Sequence, residues 1–469
     1  MREMNDALSV IDYYGHPAVR ARMLAACGTT GDGRPSAAFV AGLGEGGPAH
    51  QTWDDAVRLP ADRIASLWAS GDDISRSLWD ETQLVFMLEL DYLNVDQPAE
   101  PFLRPAEAFY KLEWACRAAR RAFRRLGLAP RTMMTGRGYQ FAGAVPLDHP
   151  VVDRLATLAR LPAWFAGVDR RRPAGVQTPL TARQARAAAG LGKLIEYAAH
   201  GVLARAAHSP IPVVFNGTIV GAGLVGRECV SIDFSHVGDP LDVRHMRLPF
   251  STYQWHRLRP DIFDVPTASL PALVALPCGR QPLLTRLSTG RGLDAGIRAA
   301  RRMDGRLPDV STGIASLLDR YAKSRLAVFH RRFDADREAT PAASLTDRWL
   351  PPCATAAFAS PNDRLLKPEH IQHVVRVLTA RGASAAAIAA LLQSAYEADH
   401  GWGDRWSRMD ARTRADFDVR VFAGMIATGL DPLVDFNCTS AQEKDVCPRT
   451  GCRFDLRVER DRLAKAASA

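Results

Sequence analysis

Along residues 84–94, LVFMLELDYLN, apolar side chains fill both faces of an extended chain until two carboxylates break in. Residues i and i+2 of a strand share a face. Leu84, Phe86, Leu88 and Leu90 therefore make one wholly apolar face, while the other begins with Val85 and Met87 and ends with Glu89 and Asp91. The pattern predicts a strand buried on both sides whose end surfaces in a pair of like charges. Such a pair either leaves the core into solvent or enters a site, and at a site it needs a cation between its members.

Helical spacing predicts a helix over 105–127, with Pro105 suited to its first turn and Gly127 to its end, and another over 181–207. Between them, 131–147 reads as two short strands around a Gly-rich turn, and 212–239 as strands punctuated by glycines. Residues 1–80 read as mixed α/β with Gly-rich loops. Strands alternating with helices predict an α+β domain over 1–270. A basic, mainly helical connector follows over 271–345, with its clearest helix at 312–333 and a linker at 334–347. A last, mainly α-helical domain spans 346–469. In it Pro368 opens a helix whose Ile371, Val374, Val375 and Leu378 keep helical spacing up to Gly382, and a second helix covers 384–397. No internal repeat or low-complexity tract interrupts the chain.

A length of 469 residues is more than one core usually holds. Hydrophobic residues make up 47% and charged residues 24%, ordinary globular values. No apolar run reaches the ~18 residues of a membrane span, and MREMNDALSV lacks a secretory signature, so the expectation is a soluble cytoplasmic protein. The net charge of +9 is compatible with a polyanionic partner without requiring one. Only six of the 60 basic residues are lysines, a bias that a GC-rich genome also produces.

Three short motifs carry candidate chemistry. Glu89-Leu90-Asp91 is an acidic strand end, and alone it reads as a solvated edge or a metal site. TGRGYQ, Thr135 to Gln140, offers glycines at 136 and 138 for a close backbone approach to phosphate, a cationic fork at Arg137 and a hydroxyl at Thr135. It lacks the ending of a Walker A loop and alone reads as a hairpin. In CVSIDFSHVGDP, Val230, Ile232 and Phe234 make an apolar face, which puts Asp233 on the other face with Ser231 and Ser235; Asp239 and Asp242 read as turn and capping residues. RLPFSTYQWHR, 247–257, is a cationic and aromatic stretch that alone reads as an amphipathic surface strand.

Taken in order, these motifs resemble those of the archaeo-eukaryotic primase superfamily, the primase small catalytic subunit and the primase-polymerases. The family's strand-borne acidic pair is matched by ELD, its Ser-Gly-(Arg/Lys)-Gly-x-His by TGRGYQ, its later strand aspartate by Asp233, and its Lys/Arg-x-Pro-Phe-Ser-x-His by RLPFSTY. The resemblance implies a primase-polymerase-like mixed sheet. It also implies that Glu89, Asp91 and Asp233 hold two Mg²⁺ or Mn²⁺ ions about 3.5–4 Å apart. Thr135, Gly136, Arg137, Gly138, Gln140, Arg247 and Ser251 would bind the nucleotide. The chain departs from the pattern at Glu89, where aspartate is commonest, and at Gln140 and Tyr253, which replace histidines. Glutamine donates a hydrogen bond but carries no charge.

Eight cysteines stand at 27, 116, 229, 278, 353, 438, 447 and 452. The last four, in LPPC and FNCTSAQEKDVCPRTGC, are spaced x84, x8 and x4, unlike the two close pairs of a zinc ribbon. Without a signal peptide, such clustering favours metal or cluster ligation over disulfides. This segment resembles the iron–sulfur domain of the primase large subunit, which implies that Cys353, Cys438, Cys447 and Cys452 ligate a [4Fe–4S] cluster, with zinc the alternative. The helices at 368–381 and 384–397 and the aromatic HGWGDRW fit it. The resemblance covers 85–469 and implies a single-chain DNA primase acting on single-stranded DNA with nucleoside triphosphates, its last domain gripping template and initiating nucleotide. A degenerate nucleic-acid or nucleotide-binding module, and a zinc-stabilised nuclease or repair factor, are the competing readings.

Overall fold

The acidic-ended run is the centre of a sheet. The computed structural model describes residues 8–44, 56–221, 227–238, 245–263, 265–340, 350–359, 362–398, 410–448 and 452–468. Asp239, Asp242 and HGWGDRW lie outside the described residues. In chain order the strands are β1 (Phe39–Leu43), β2 (Val57–Pro60), β3 (Asp73–Arg76), β4 (Gln83–Asn94), β5 (Arg131–Met134), β6 (Gly138–Pro146), β7 (Val213–Phe215), β8 (Glu228–Asp233), β9 (Met246–Arg247), β10 (Thr252–Tyr253), β11 (Leu273–Val274) and β12 (Leu276–Pro277).

One mixed sheet runs β12-β5-β6-β4-β8-β7, antiparallel except where β7 meets β8. A second, antiparallel sheet runs β2-β1-β3-β9, and β10 pairs with β11. The apolar face of β4 does what its alternation requires. Phe86, Leu88 and Leu90 are wholly buried, and helices Pro105–Arg125 and Ala182–Arg205 pack behind the strand. Thr181 and Gln184 form a capping box that starts the second of these helices. The segment that joins the sheet to the later helices itself supplies β11 and β12, the latter an edge strand of the main sheet.

The expected helix over 312–333 is two helices, Ser311–Ala322 and Arg325–Ala339. The break is chemical: the hydroxyl of Ser324 accepts the Ala327 N–H at 3.1 Å and so starts a new helix. The expected linker at 334–347 begins as the end of that second helix. Arg337 is buried there, its guanidinium 2.6 Å from Asp416, and the residues from 341 lie outside the described ones.

Beyond 350 the described residues form helices only, including Pro368–Ala380, Ala385–Glu397, Ala411–Thr428, Cys438–Glu443 and Leu456–Ser468. The chain is thus a mixed α+β protein with a helical C-terminal region. One apolar core runs through it from Tyr13 to Leu463. Within it Glu196 is fully buried between His330 (3.1 Å) and Arg420 (3.0 Å). Burial alone would raise its pKa, but these two neighbours hold the carboxyl well below the usual range. A buried carboxylate of this kind ties together three helices that are distant in sequence.

Candidate active site

The register of the main sheet decides which side chains meet. Glu89 lies directly opposite Asp233 on β8 and Gln140 on β6, and Asp91 lies opposite Ser231 and Gly138. Cross-strand partners share a face with Cβ atoms about 4.5–5.5 Å apart, so Gln140, Glu89 and Asp233 form one row and Asp91 stands in the next. The three sequence-predicted carboxylates thus come together from two strands.

Each carboxylate has a donor. Gln140 Nε2 donates to Glu89 Oε1 at 2.7 Å, Arg137 Nη2 to Asp91 Oδ2 at 3.2 Å, and the hydroxyl and N–H of Ser235 to Asp233 Oδ1 at 2.7 and 2.9 Å. Gln140 Oε1 is buried and finds no donor among the described residues. Three carboxylates make an all-oxygen donor set, the residue type that suits Mg²⁺ or Mn²⁺. Like charges placed directly across a ladder repel, and a divalent ion removes that cost. Among the described residues no three His, Cys, Asp or Glu side chains are drawn together into a ready cage.

The glycines of TGRGYQ are required by close approach. Neither has a left-handed backbone. Thr135 N–H bonds to Gly138 O at 2.9 Å and closes the turn. A Cβ on Gly136 would stand 2.3 Å from the ring of Tyr253, and one on Gly138 would stand 2.1 Å from Leu90 O. The turn is therefore pressed between the Tyr253 ring and the backbone of β4, with Arg137 pointing at Asp91.

Glu89, Asp91, Thr135, Arg137 and Arg247 line one cleft of about 450 Å³, within the ~300–1,000 Å³ range of small-molecule sites. Tyr92, Tyr253, Trp255 and Phe263 supply its aromatic wall. Arg247 is held from behind: it pairs with Asp73 at 3.3 Å, donates to Thr252 O at 2.6 Å and lies 4.7 Å from the Tyr253 ring centre. Burial pushes the Tyr253 phenol up to about 12, so it stays protonated among Arg137, Asp91 and Arg247. Ser251 stands behind the cleft, wholly buried, its hydroxyl accepting the Ile74 N–H at 2.7 Å.

Residues with no sequence motif build this wall. Asp73 is fully buried and accepts from Thr252 Oγ1 (2.9 Å) and the Gln254 N–H (2.7 Å). Burial raises its pKa, and Arg247 opposes that rise. Tyr13 donates to Phe250 O at 2.9 Å and Tyr14 to Asp72 O at 2.7 Å. Phe250 has φ 66°, a left-handed conformation costly for a side chain of this size, and these contacts pin it. The only sequence signal was the paired acid Asp72-Asp73 after Gly71, in a region without a recognisable motif.

The last four cysteines all lie in the C-terminal region. None of the eight forms a disulfide. Burial first, and then the charges of Cys447, Cys452 and Cys438, pushes the Cys353 thiol up to about 12. The Leu456 N–H points at Cys438 Sγ (3.5 Å) and the Phe454 N–H at Cys452 Sγ (3.4 Å). Backbone N–H···S bonds of this kind stabilise ligating thiolates. Four thiols are the residue type that iron–sulfur and zinc sites use, but among the described residues they are not drawn together into a ready metal site. Helix Cys438–Glu443 sits beside the main sheet, where Arg227 Nη1 donates to Glu443 O at 3.3 Å just ahead of β8. No helix among the described residues is long and apolar enough to cross a membrane. Compared with known proteins, the chain matches no family, no curated protein and no solved structure.

Proposed function

We propose that the chain is a DNA primase or primase-polymerase of the cytoplasm, joining nucleotides from nucleoside triphosphates on a single-stranded DNA template. The observation that carries this reading is the meeting of Glu89, Asp91, Arg137 and Arg247 in one cleft, with Asp233 directly across the ladder from Glu89. The reaction needs a 3′-hydroxyl to attack the α-phosphorus while pyrophosphate leaves. That chemistry is dominated by alignment and charge stabilisation.

Glu89, Asp91 and Asp233 would hold Mg²⁺ or Mn²⁺. When bound, two such ions lower the pKa of the attacking hydroxyl and neutralise the leaving group. Arg137 meets the triphosphate by exchanging its bond to Asp91 for one to phosphate, and Arg247, fixed by Asp73 and Tyr253, adds a second positive charge to the same wall. The aromatic wall excludes water and receives base and sugar. Cys353, Cys438, Cys447 and Cys452 would hold a [4Fe–4S] cluster, or zinc, that orders the C-terminal helices against the sheet.

A second reading, a catalytically degenerate module that binds nucleic acid or nucleotide, is favoured by Gln140. Its amide occupies Glu89 where the resembled family has a histidine. Primer synthesis on unprimed single-stranded DNA with labelled ribo- and deoxynucleotides, comparing wild type with Asp91→Ala, separates the two. Product from the wild type alone supports polymerisation. No product from a folded, metal-loaded wild type under either Mg²⁺ or Mn²⁺ supports the binding module.

A further inference from the structure

Helix Pro105–Arg125 buries Leu112, Ala115, Ala119 and Phe123 against the sheet. Its opposite face breaks the usual pattern of a solvated helix. At 100° per residue, Tyr110, Trp114, Arg117, Arg121, Arg124 and Arg125 fall in one stripe about 100° wide. Tyr110 is 63% and Trp114 42% exposed, and the guanidinium of Arg117 lies 5.3 Å from the Trp114 ring centre. Among the described residues no carboxylate pairs with Arg117, Arg121, Arg124 or Arg125. The acids of this helix are turned elsewhere: Glu113 is bound to Arg286 at 2.7 Å, and Glu107, ahead of Tyr110, pairs with Arg104 at 3.4 Å.

The stripe also connects to the cleft. Lys111, next to Tyr110, donates to Tyr92 Oη at 3.3 Å, and Tyr92 lines the cleft beside Asp91. Two exposed rings one turn apart followed by four uncompensated guanidinium groups is the chemistry of a single-strand platform: unstacked bases lie on aromatic faces while cations track the backbone. Duplex hides the base faces that such rings need.

We propose that this face of helix Pro105–Arg125 is a docking track for single-stranded nucleic acid, leading to or from the cleft at Tyr92. The proposal rests on the template-directed reading for its direction, and it is tested without catalysis. Binding of a fluorescein-labelled 20-residue oligodeoxythymidylate to the full chain is followed by anisotropy over a salt series. Tyr110→Ala with Trp114→Ala weakens binding by at least about tenfold. Arg121→Ala with Arg124→Ala lowers the slope of log affinity against log salt by about 1.4, the share of two phosphates. Affinity for a duplex of the same length is little changed by the aromatic pair. All six positions are at the surface, so melting curves of both variants overlay the wild type.

Unchanged oligonucleotide affinity and salt slope in both variants overturn the proposal. So does loss confined to a polyglutamate peptide or to phosphatidylserine vesicles, which would make the face a protein or membrane contact. The two readings fail separately. Stripe-dependent binding with no primer synthesis sinks the enzymatic reading and keeps the track, whereas primer synthesis with unaltered binding in the variants does the reverse.

Discussion

Gly138 is the position where a single methyl group should report on both the sheet and the site. It faces Asp91 in the ladder. In Gly138→Ala the new carbon would stand 2.1 Å from Leu90 O, 3.0 Å from the Leu90 carbonyl carbon and 2.7 Å from Asp91 Oδ1. A carbon sits about 3.3 Å or more from a carbonyl oxygen, so the methyl intrudes by more than about 1 Å. The atom it meets is backbone at the centre of the sheet, which cannot rotate away. Overpacking of this kind costs about 1–3 kcal/mol, and the ladder bonds beside it lose up to about 1 kcal/mol, giving a loss of about 1–4 kcal/mol. Urea unfolding measures it, and primer synthesis, the proposed activity, reads the displacement of Asp91, with a loss approaching that expected of Asp91→Ala. Gly15→Ala is the control: nothing lies within 4 Å of its Cβ, and alanine is the better helix residue. A Gly138→Ala protein that unfolds like the wild type and keeps full activity would refute the close-approach argument.

Other outcomes follow from the same geometry. Arg137→Glu should weaken nucleoside triphosphate binding by at least about tenfold, because it removes one charge-assisted contact and adds a repulsive charge; equal affinity by calorimetry would remove Arg137 from the phosphate site. Cys353→Ser should lower the metal content of anaerobically purified protein and its thermal stability together, with iron or zinc distinguished by elemental analysis; unchanged metal content would exclude Cys353 as a ligand. Burial holds His200 and His256 down to about 4 and His373 down to about 3. These groups are neutral when folded and take up protons more readily when unfolded, so the stability they contribute is present above about pH 6.5 and is lost as pH falls towards 4. At about 1.4 kcal/mol per unit each accounts for roughly 3 kcal/mol. Asp72 and Asp418, pushed up to about 6 by burial, act in the opposite sense, as do Asp73, Glu369 and Asp416, which burial also raises. His330 and His370, lowered by burial, and Glu196 and Asp435, held down against burial by cationic neighbours, act with the three histidines. The urea midpoint should fall between pH 7.5 and pH 4.5, and His373→Gln should flatten that fall; a wild-type midpoint independent of pH would show that these rings are not buried neutral.

The alternation in LVFMLELDYLN was enough to place β4, because one strand's facing depends only on its own period. The meeting of Glu89 with Asp233 was legible only as far as both lay on polar strand faces, since register is a property of the pair. Gly136 and Gly138 were readable as points of close approach but not as to what approaches them: Tyr253 and Leu90 come from other parts of the chain. Tyr13 and Tyr14 gave no signal, and Asp73 only that of an acid paired with Asp72. They act by holding the backbone of 250–254, and a buried hydrogen bond to a distant carbonyl leaves no local pattern. The continuous helix expected over 312–333 failed at Ser324, whose side chain satisfies the backbone locally more cheaply than the apolar period implies. The linker at 334–347 failed at its start because Arg337 finds Asp416, a partner 79 residues away.

Phe417, on helix Ala411–Thr428, packs edge-on against Phe234, the residue after Asp233, with ring centres 6.1 Å apart. It also closes on Gly238, where a Cβ would stand 2.9 Å from its ring. The C-terminal helices are therefore the backstop of the strand end that carries Asp233, the residue across the ladder from Glu89. If Cys353, Cys438, Cys447 and Cys452 hold a metal as proposed, stripping it should loosen the support behind Asp233 as well as the thiol region. Inactivity of such a stripped protein would then not by itself report on electron transfer, and the informative comparison would be a redox-inert zinc-loaded form against an iron-loaded one with the same melting curve.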